Sequence, residues 1–191
     1  MLRALLAVMS LTLIQVATVH ADNQELFWNA LKEGGKVVLI RHAEIDRSFG
    51  DSFLLDESCF SEKNLNEVGK TQAKNIAKGF KIHAVKVHQV FTSPYCRTKE
   101  TAKLAFEEFS VNPILRLTKA LTEEKANTNI DETRALISSY NNQGNLVLVT
   151  HRPNIGELVH IRVEPAEMIV IQPLGDGLYD VITRLKLTES N

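Results

Sequence analysis

Two runs of apolar residues stop abruptly at a histidine. Val37-Val38-Leu39-Ile40 runs into Arg41-His42-Ala43-Glu44, and Leu146-Val147-Leu148-Val149-Thr150 runs into His151. Unbroken runs of this length, introduced by Gly34-Gly35 and by Gly144, predict strands buried on both faces. In open α/β sheets ligands bind beyond the carboxyl ends of the strands. Arg41, His42 and His151 therefore stand where such a fold does its chemistry.

The segments between and around these strands alternate. Asp22 to Gly35 predicts a short helix, capped by Asp22 or Asn23, with Leu26, Phe27, Ala30 and Leu31 on one face and Gly34-Gly35 ending it. Residues 44–64 mix Asp, Ser and Gly with phenylalanines and follow neither period; a long loop directly after a strand end is usually functional. A second helix starts at Leu65-Asn66-Glu67-Val68-Gly69 with Asn66 as its cap, and Val68, Ala73, Ile76, Ala77 and Phe80 form its apolar face. Val87 to Phe91 predicts a strand, and Pro94 opens a helix through Glu108 that carries Arg97 near its start. Ile114 to Leu117 reads as a short strand, residues 118–129 have little pattern, Ile130 to Tyr140 is a helix, and Pro153 to Leu158 another. Met168–Ile171 and Leu178–Ile182 flank Gly175-Asp176-Gly177, a hairpin signal. The alternation predicts one three-layer α/β/α domain around a central, mostly parallel sheet.

Composition adds two points. Lys+Arg 22 against Asp+Glu 23 leaves a formal net charge of -1 over 191 residues, so no global field directs the chain to nucleic acid or an anionic membrane, and any anion site must be local. Arg3, the apolar run from Ala4 to Val19, and Val19-His20-Ala21 read as an export signal cut after Ala21, leaving 22–191 as the mature domain. That run is broken by Ser10, Thr12 and Gln15 and falls short of the roughly 20 residues a span needs, so no stable membrane insertion is expected. A periplasmic or secreted location follows. There Cys59 and Cys96 can pair, a loop closure worth at most about 4 kcal/mol; the other reading is two separate buried thiols.

If the two histidine-ended strands are neighbours, His42 and His151 lie side by side, one free to attack and the other to hydrogen-bond the transferred group. Arg97, at a helix start after another strand, aims at the same place. Arg41 and Arg97 supply planar bidentate donors, each charge-assisted contact worth roughly 1.5–3 kcal/mol. Such a site suits a phosphoryl group.

Leu39-Ile40-Arg41-His42-Ala43-Glu44, Leu65 to Ala73, Ser93-Pro94-Tyr95-Cys96-Arg97-Thr98-Lys99-Glu100-Thr101-Ala102 and Val149-Thr150-His151 resemble, in order and spacing, the histidine phosphatase superfamily with its phosphoglycerate mutase-like fold. The likeness leans toward small bacterial phosphohistidine phosphatases and exported lipopolysaccharide-core heptose phosphatases rather than the mutases. It implies that His42 is phosphorylated, that Arg41, Arg97 and His151 hold the phosphoryl group, and that no metal or cofactor takes part. His83, His88 and His160 match no motif. The substrate implied is a small phosphorylated molecule, with an envelope sugar phosphate as the leading case. A phosphohistidine, and a catalytically weak protein that binds phosphorylated sugars or acts as an interaction protein, are the alternatives. Oligomeric state is left open.

The chain departs from the family pattern where the proton donor belongs. Ala43 replaces the usual glycine, a tolerated change. Glu123 and Glu124 lie in the donor's region without the surrounding motif, and Arg152, not an acid, follows His151. Glu44 and Asp46 are the other donor candidates. Arg47, Ser48, Arg152 and Asn154 are candidate substrate contacts. A Cys59–Cys96 bridge would pin the 44–64 loop beside the pocket.

Overall fold

The two apolar runs become adjacent strands in the middle of one sheet. A computed structural model describes residues 23–187; the expected signal segment 1–21 lies outside them. Strand β1 (Val37–Arg41) runs parallel to β4 (Asn145–Thr150), with Val37 opposite Leu146 and Arg41 opposite Thr150. Every residue of the pair is buried except Arg41. With β2 (Val87–Thr92), β3 (Ser110–Val111), β5 (Met168–Gly175) and β6 (Leu178–Leu185), the order across the sheet is β3-β2-β4-β1-β5-β6. The first four strands are mutually parallel, and the β5–β6 hairpin adds the antiparallel edge.

Because side chains alternate along a strand, each central strand feeds two cores. Val38, Ile40, Val147 and Val149 pack on one side with Phe27 and Leu31 of helix α1 (residues 23–33), Ala73, Ile76 and Phe80 of α2 (Glu67–Ile82), and Ala102 and Ala105 of α3 (Cys96–Phe106). Val37, Leu39, Leu146 and Leu148 pack on the other with Ile130 and Ile137 of α4 (Glu123–Ser138) and Ile155 and Leu158 of α5 (Arg152–Val159). The result is the expected three-layer α/β/α sandwich. Fully burying each such aliphatic chain contributes roughly 1.5–3 kcal/mol. No helix of the described residues is long and apolar enough to cross a membrane.

Four expectations change. Leu26 and Val68, assigned to apolar faces, are 48 % and 49 % exposed; each lies in the first turn of its helix. Helix α3 starts at Cys96 rather than at Pro94, with Tyr95 in the extended capping position, and ends at Phe106. No strand forms at Ile114–Leu117. Pro113 lacks the N–H a ladder needs, and the Asn112 side chain accepts from Ile114 N–H at 3.2 Å, so the chain turns through 3₁₀ segments at Pro113–Leu115 and Thr118–Ala120. The strand on the outer side of β2 is Ser110–Val111. Lastly, α4 begins at Glu123, seven residues before the predicted Ile130 start, where Thr122 caps it and Glu123 and Glu124 favour the positive helix end. Its buried face includes Asn129, Thr133 and Ser138, so no apolar stripe marks it.

Candidate active site

His42 continues the β1 ladder by one bond, its N–H donating to Thr150 O at 2.9 Å. The next residue after Thr150 is His151, so parallel pairing sets the two imidazoles side by side, ring centres 5.5 Å apart. His42 Nδ1 lies 2.8 Å from its own neighbour's carbonyl, Ala43 O. A carbonyl can only accept, so Nδ1 carries the proton and Nε2 keeps its lone pair. Burial pushes the His42 pKa down to about 3, with the charges of Arg97 and Arg41 adding to the fall. The ring is a free base, primed at Nε2, without a partner to deprotonate it.

His151 is held from both sides. Its Nε2 lies 2.8 Å from Ser93 Oγ, and its Nδ1 lies 3.4 Å from Arg97 Nη2. Arginine can only donate, so Nδ1 accepts and Nε2 donates to Ser93. Desolvation, then the neighbouring His42, Arg97 and Arg41, hold this imidazole well below its ordinary pKa.

The two arginines are spent on the protein only in part. Arg97 is 2 % exposed, donates from Nη2 to Ser52 O at 3.1 Å, and stacks 4.2 Å over the Tyr95 ring, while its buried Nη1 has no partner. Arg41 donates from Nη1 to Val163 O at 2.9 Å and leaves a buried Nε unsatisfied. Desolvation lowers both guanidinium pKa values, yet arginine stays charged. Orphaned, charged donors beside two histidines form a cradle for an oxyanion.

The 44–64 loop closes one wall. Cys59 and Cys96 are bridged, Cα atoms 5.8 Å apart. Tyr95 Oη donates to Phe53 O at 2.8 Å. Glu62, 1 % exposed, accepts Asp56 N–H at 3.1 Å and Cys96 N–H at 2.8 Å, capping α3 from the loop. Gly69 lets α2 approach: a Cβ there would meet Glu44 O at 2.0 Å. Cys59→Ala/Cys96→Ala is expected to lower the unfolding midpoint by on the order of 10 °C, the bridge contributing up to about 4 kcal/mol. It should raise KM more than it lowers kcat, because Glu62 and Tyr95 still hold the loop. Calorimetry and steady-state kinetics check both; an unchanged KM would show that the bridge serves the fold alone.

The cavity these groups enclose measures about 440 Å³ and includes His42, His151, Arg41, Arg97, Ser52 and Phe53. Of the candidate donors, Glu44 lines it, and it is the one carboxylate among the described lining residues. Asp46 does not; its carboxylate accepts Ser48 N–H at 2.8 Å and Ser48 Oγ at 2.6 Å, bonds that lower its pKa, the opposite of what an acid requires. Ser48 is used in that pair and does not line the cavity. Glu123 and Glu124 sit exposed at the start of α4, and Leu117 and Lys119 occupy the wall nearest them in sequence. Arg47 and Arg152 both line the cavity. Asn154 is buried elsewhere, accepting Thr118 N–H at 3.2 Å and donating to Leu115 O and Arg116 O at 3.3 and 2.8 Å, so it shapes the wall rather than touching its contents. Glu62, Ser93, Lys63 and Lys119 are the participants that sequence reasoning missed. Only Ser93, at a strand end within a recognisable motif, carried a signal.

The family model of the histidine phosphatase superfamily (branch 1) matches residues 37–127, which contain Arg41, His42 and Arg97 but not His151. Comparison with the curated proteins finds no match. Three solved structures are similar in fold. An open reading frame product of Mycobacterium tuberculosis shares 18 % identity at a TM-score of 0.59, over 80 % of this chain and 97 % of that one. The protein histidine phosphatase SixA, solved with tungstate, shares 14 % at 0.59, over 79 % and 96 %. Phosphoglycerate mutase of Thermus thermophilus shares 17 % at 0.55, over 80 % and 99 %. At these identities the likeness is one of architecture.

Proposed function

We propose that this protein, a histidine-type phosphatase of the histidine phosphatase superfamily, hydrolyses a small phosphomonoester through a phosphohistidine on His42. One observation carries the reading: a neutral His42 whose Nδ1 proton is engaged by Ala43 O, on the same cavity as Arg97, whose buried Nη1 has no partner. In the first step His42 Nε2 forms a bond to phosphorus as the ester P–O bond breaks in line with it. Arg41 and Arg97 donate to the equatorial oxygens, where charge spreads in the transition state, and His151, its N–H given to Ser93 Oγ and its Nδ1 accepting from Arg97, holds that guanidinium in place. Glu44, the carboxylate on the cavity lining, gives the departing oxygen its proton, a contribution of typically 10²–10⁴-fold for an alkoxide. In the second step Glu44 takes a proton from water, the oxygen attacks phosphorus, the N–P bond breaks, and His42 is regenerated with phosphate.

The single lining carboxylate also supports a second reading, a phosphohistidine as substrate, because a departing imidazole depends less on protonation. SixA, similar in fold, is a protein histidine phosphatase. An envelope sugar phosphate is favoured here because the expected export signal and the Cys59–Cys96 bridge agree on an oxidising compartment outside the cytoplasm.

The test is to mix the mature protein with a phosphorus-labelled aryl phosphate, sugar phosphates and a phosphohistidine peptide, and to quench within one turnover. An acid-labile, base-stable label on His42 is expected, with tungstate competing. Tight phosphate binding with no label and no turnover on any substrate would assign the protein to binding instead.

A further inference from the structure

The catalytic cradle accounts for two of the six cations around the cavity. Arg41 and Arg97 match the double charge of a phosphoryl group. Arg47, Lys63, Lys119 and Arg152 line the same cavity, and against them stands Glu44. This is a local concentration, since the whole chain has a formal net charge of -1. Among the described residues, ion pairs join Lys36–Glu33, Lys70–Glu67, Arg134–Asp131 and Arg184–Glu167, and none involves these four. The acids nearby are otherwise placed: Asp46 is bonded to Ser48, and Glu164 acts on Arg41 from outside the cavity lining.

The four come from three separate parts of the chain. Arg47 and Lys63 lie on the 44–64 loop, where Lys63 Nζ donates to Arg47 O at 2.9 Å and ties the two ends of the loop together. Lys119 sits on a 3₁₀ turn whose base Asn154 clamps, and Arg152 is the first residue of α5. Arg47 and Arg152 are near enough to Arg41 to lower its pKa. Like charges converging on a concave wall repel one another and focus field on whatever enters. Arg47, Lys119 and Arg152 are exposed and Lys63 half-buried, so their charges are open to an anion that enters the cavity from solvent.

We propose that the substrate carries a second anionic group, a phosphate or a carboxylate beyond the phosphoryl that His42 attacks, seated on Arg47, Lys63, Lys119 and Arg152. The inference rests on the phosphatase reading and narrows it to sugar phosphates that bear a further phosphate or a carboxylate. Such a group binds equally in ground and transition state, so it acts on KM.

Kinetics on glucose 6-phosphate, glucose 1,6-bisphosphate and 6-phosphogluconate in phosphate-free buffer test it, the last two separating phosphate from carboxylate as the second group. At least one of them should exceed the simple sugar ester in kcat/KM by about tenfold or more, one charge-assisted contact being worth that much. The ratio should collapse in Arg47→Ala/Lys119→Ala, invert in Lys119→Glu, and narrow as salt shortens the Debye length. Equal kcat/KM across the three would overturn the second site. Calorimetry on His42→Ala separates this from the hydrolysis reading: preferential binding of the two sugars with a second anionic group sustains the second site even if the parent turns over none of them, and equal affinity overturns it.

Discussion

His42→Ala is expected to lower kcat on an aryl phosphate by about 10⁴-fold or more, the scale on which removing a nucleophile acts in enzymes that form a covalent intermediate. The cradle survives the change. Arg41, Arg97 and His151 are fixed by Val163 O, Ser52 O and Ser93 Oγ rather than by the His42 ring. Phosphate affinity should therefore stay within a few-fold, and the residual rate should come from binding and charge stabilisation alone. The variant leaves a hole where the imidazole was, lying against His151. Added imidazole should enter it, attack the phosphoryl group, and restore part of the rate in a concentration-dependent way. Turnover within tenfold of the parent, with no imidazole dependence, would remove His42 from the chemistry.

The same residues show how far the sequence can be read. Val37–Ile40 and Leu146–Val149 were legible because strands buried on both faces have no polar alternation to disguise them. The site's centre was legible on the condition that the two strands are neighbours, and the parallel register with Arg41 opposite Thr150 meets it. Asn66 was legible as a cap because its role is local, its side chain accepting Gly69 N–H at 2.8 Å.

What escaped depends on partners distant in sequence. Glu62 reads as one more loop carboxylate until the fold brings Cys96 N–H to it across 34 residues. Lys119 reads as one more surface lysine until Asn154 clamps its turn beside α5 and sets it on the cavity wall. The first half of α4 was missed for a different reason: the face it buries includes Asn129 and Thr133, with Thr133 Oγ1 bonded back to Asn129 O at 2.7 Å, so the helical period is written in small polar residues. Asp46 was overvalued because proximity to His42 in sequence says nothing of Ser48's claim on its carboxylate.

Arg97 is expected to separate stability from activity. Arg97→Met should lower kcat/KM by about 10²–10³-fold or more, the cost of losing one preorganised donor to the developing charge. The same change should raise the unfolding midpoint. Arg97 is 2 % exposed with Nη1 unpartnered, and desolvation dominates the fall in its pKa, with Tyr95 and Glu62 opposing it. Several kcal/mol of effective desolvation per ion, with Nη1 unpartnered, outweigh the lost contact with the Tyr95 ring, worth about 2 kcal/mol or more for a desolvated cation, and the lost Nη2 donations to Ser52 O and His151 Nδ1. Methionine fills most of the volume and keeps an aromatic contact for its sulfur. Glu62 is not orphaned, because both its oxygens accept backbone N–H groups. A net gain of about 1 kcal/mol corresponds to roughly 2–4 °C in a domain this size. Arg97→Lys discriminates further: it retains the charge without the planar fork, so activity should fall while stability does not rise. If Arg97→Met instead melts well below the parent, the guanidinium is structural. If it melts higher and is inactive, an arginine that strains the empty fold is retained for the anion it receives.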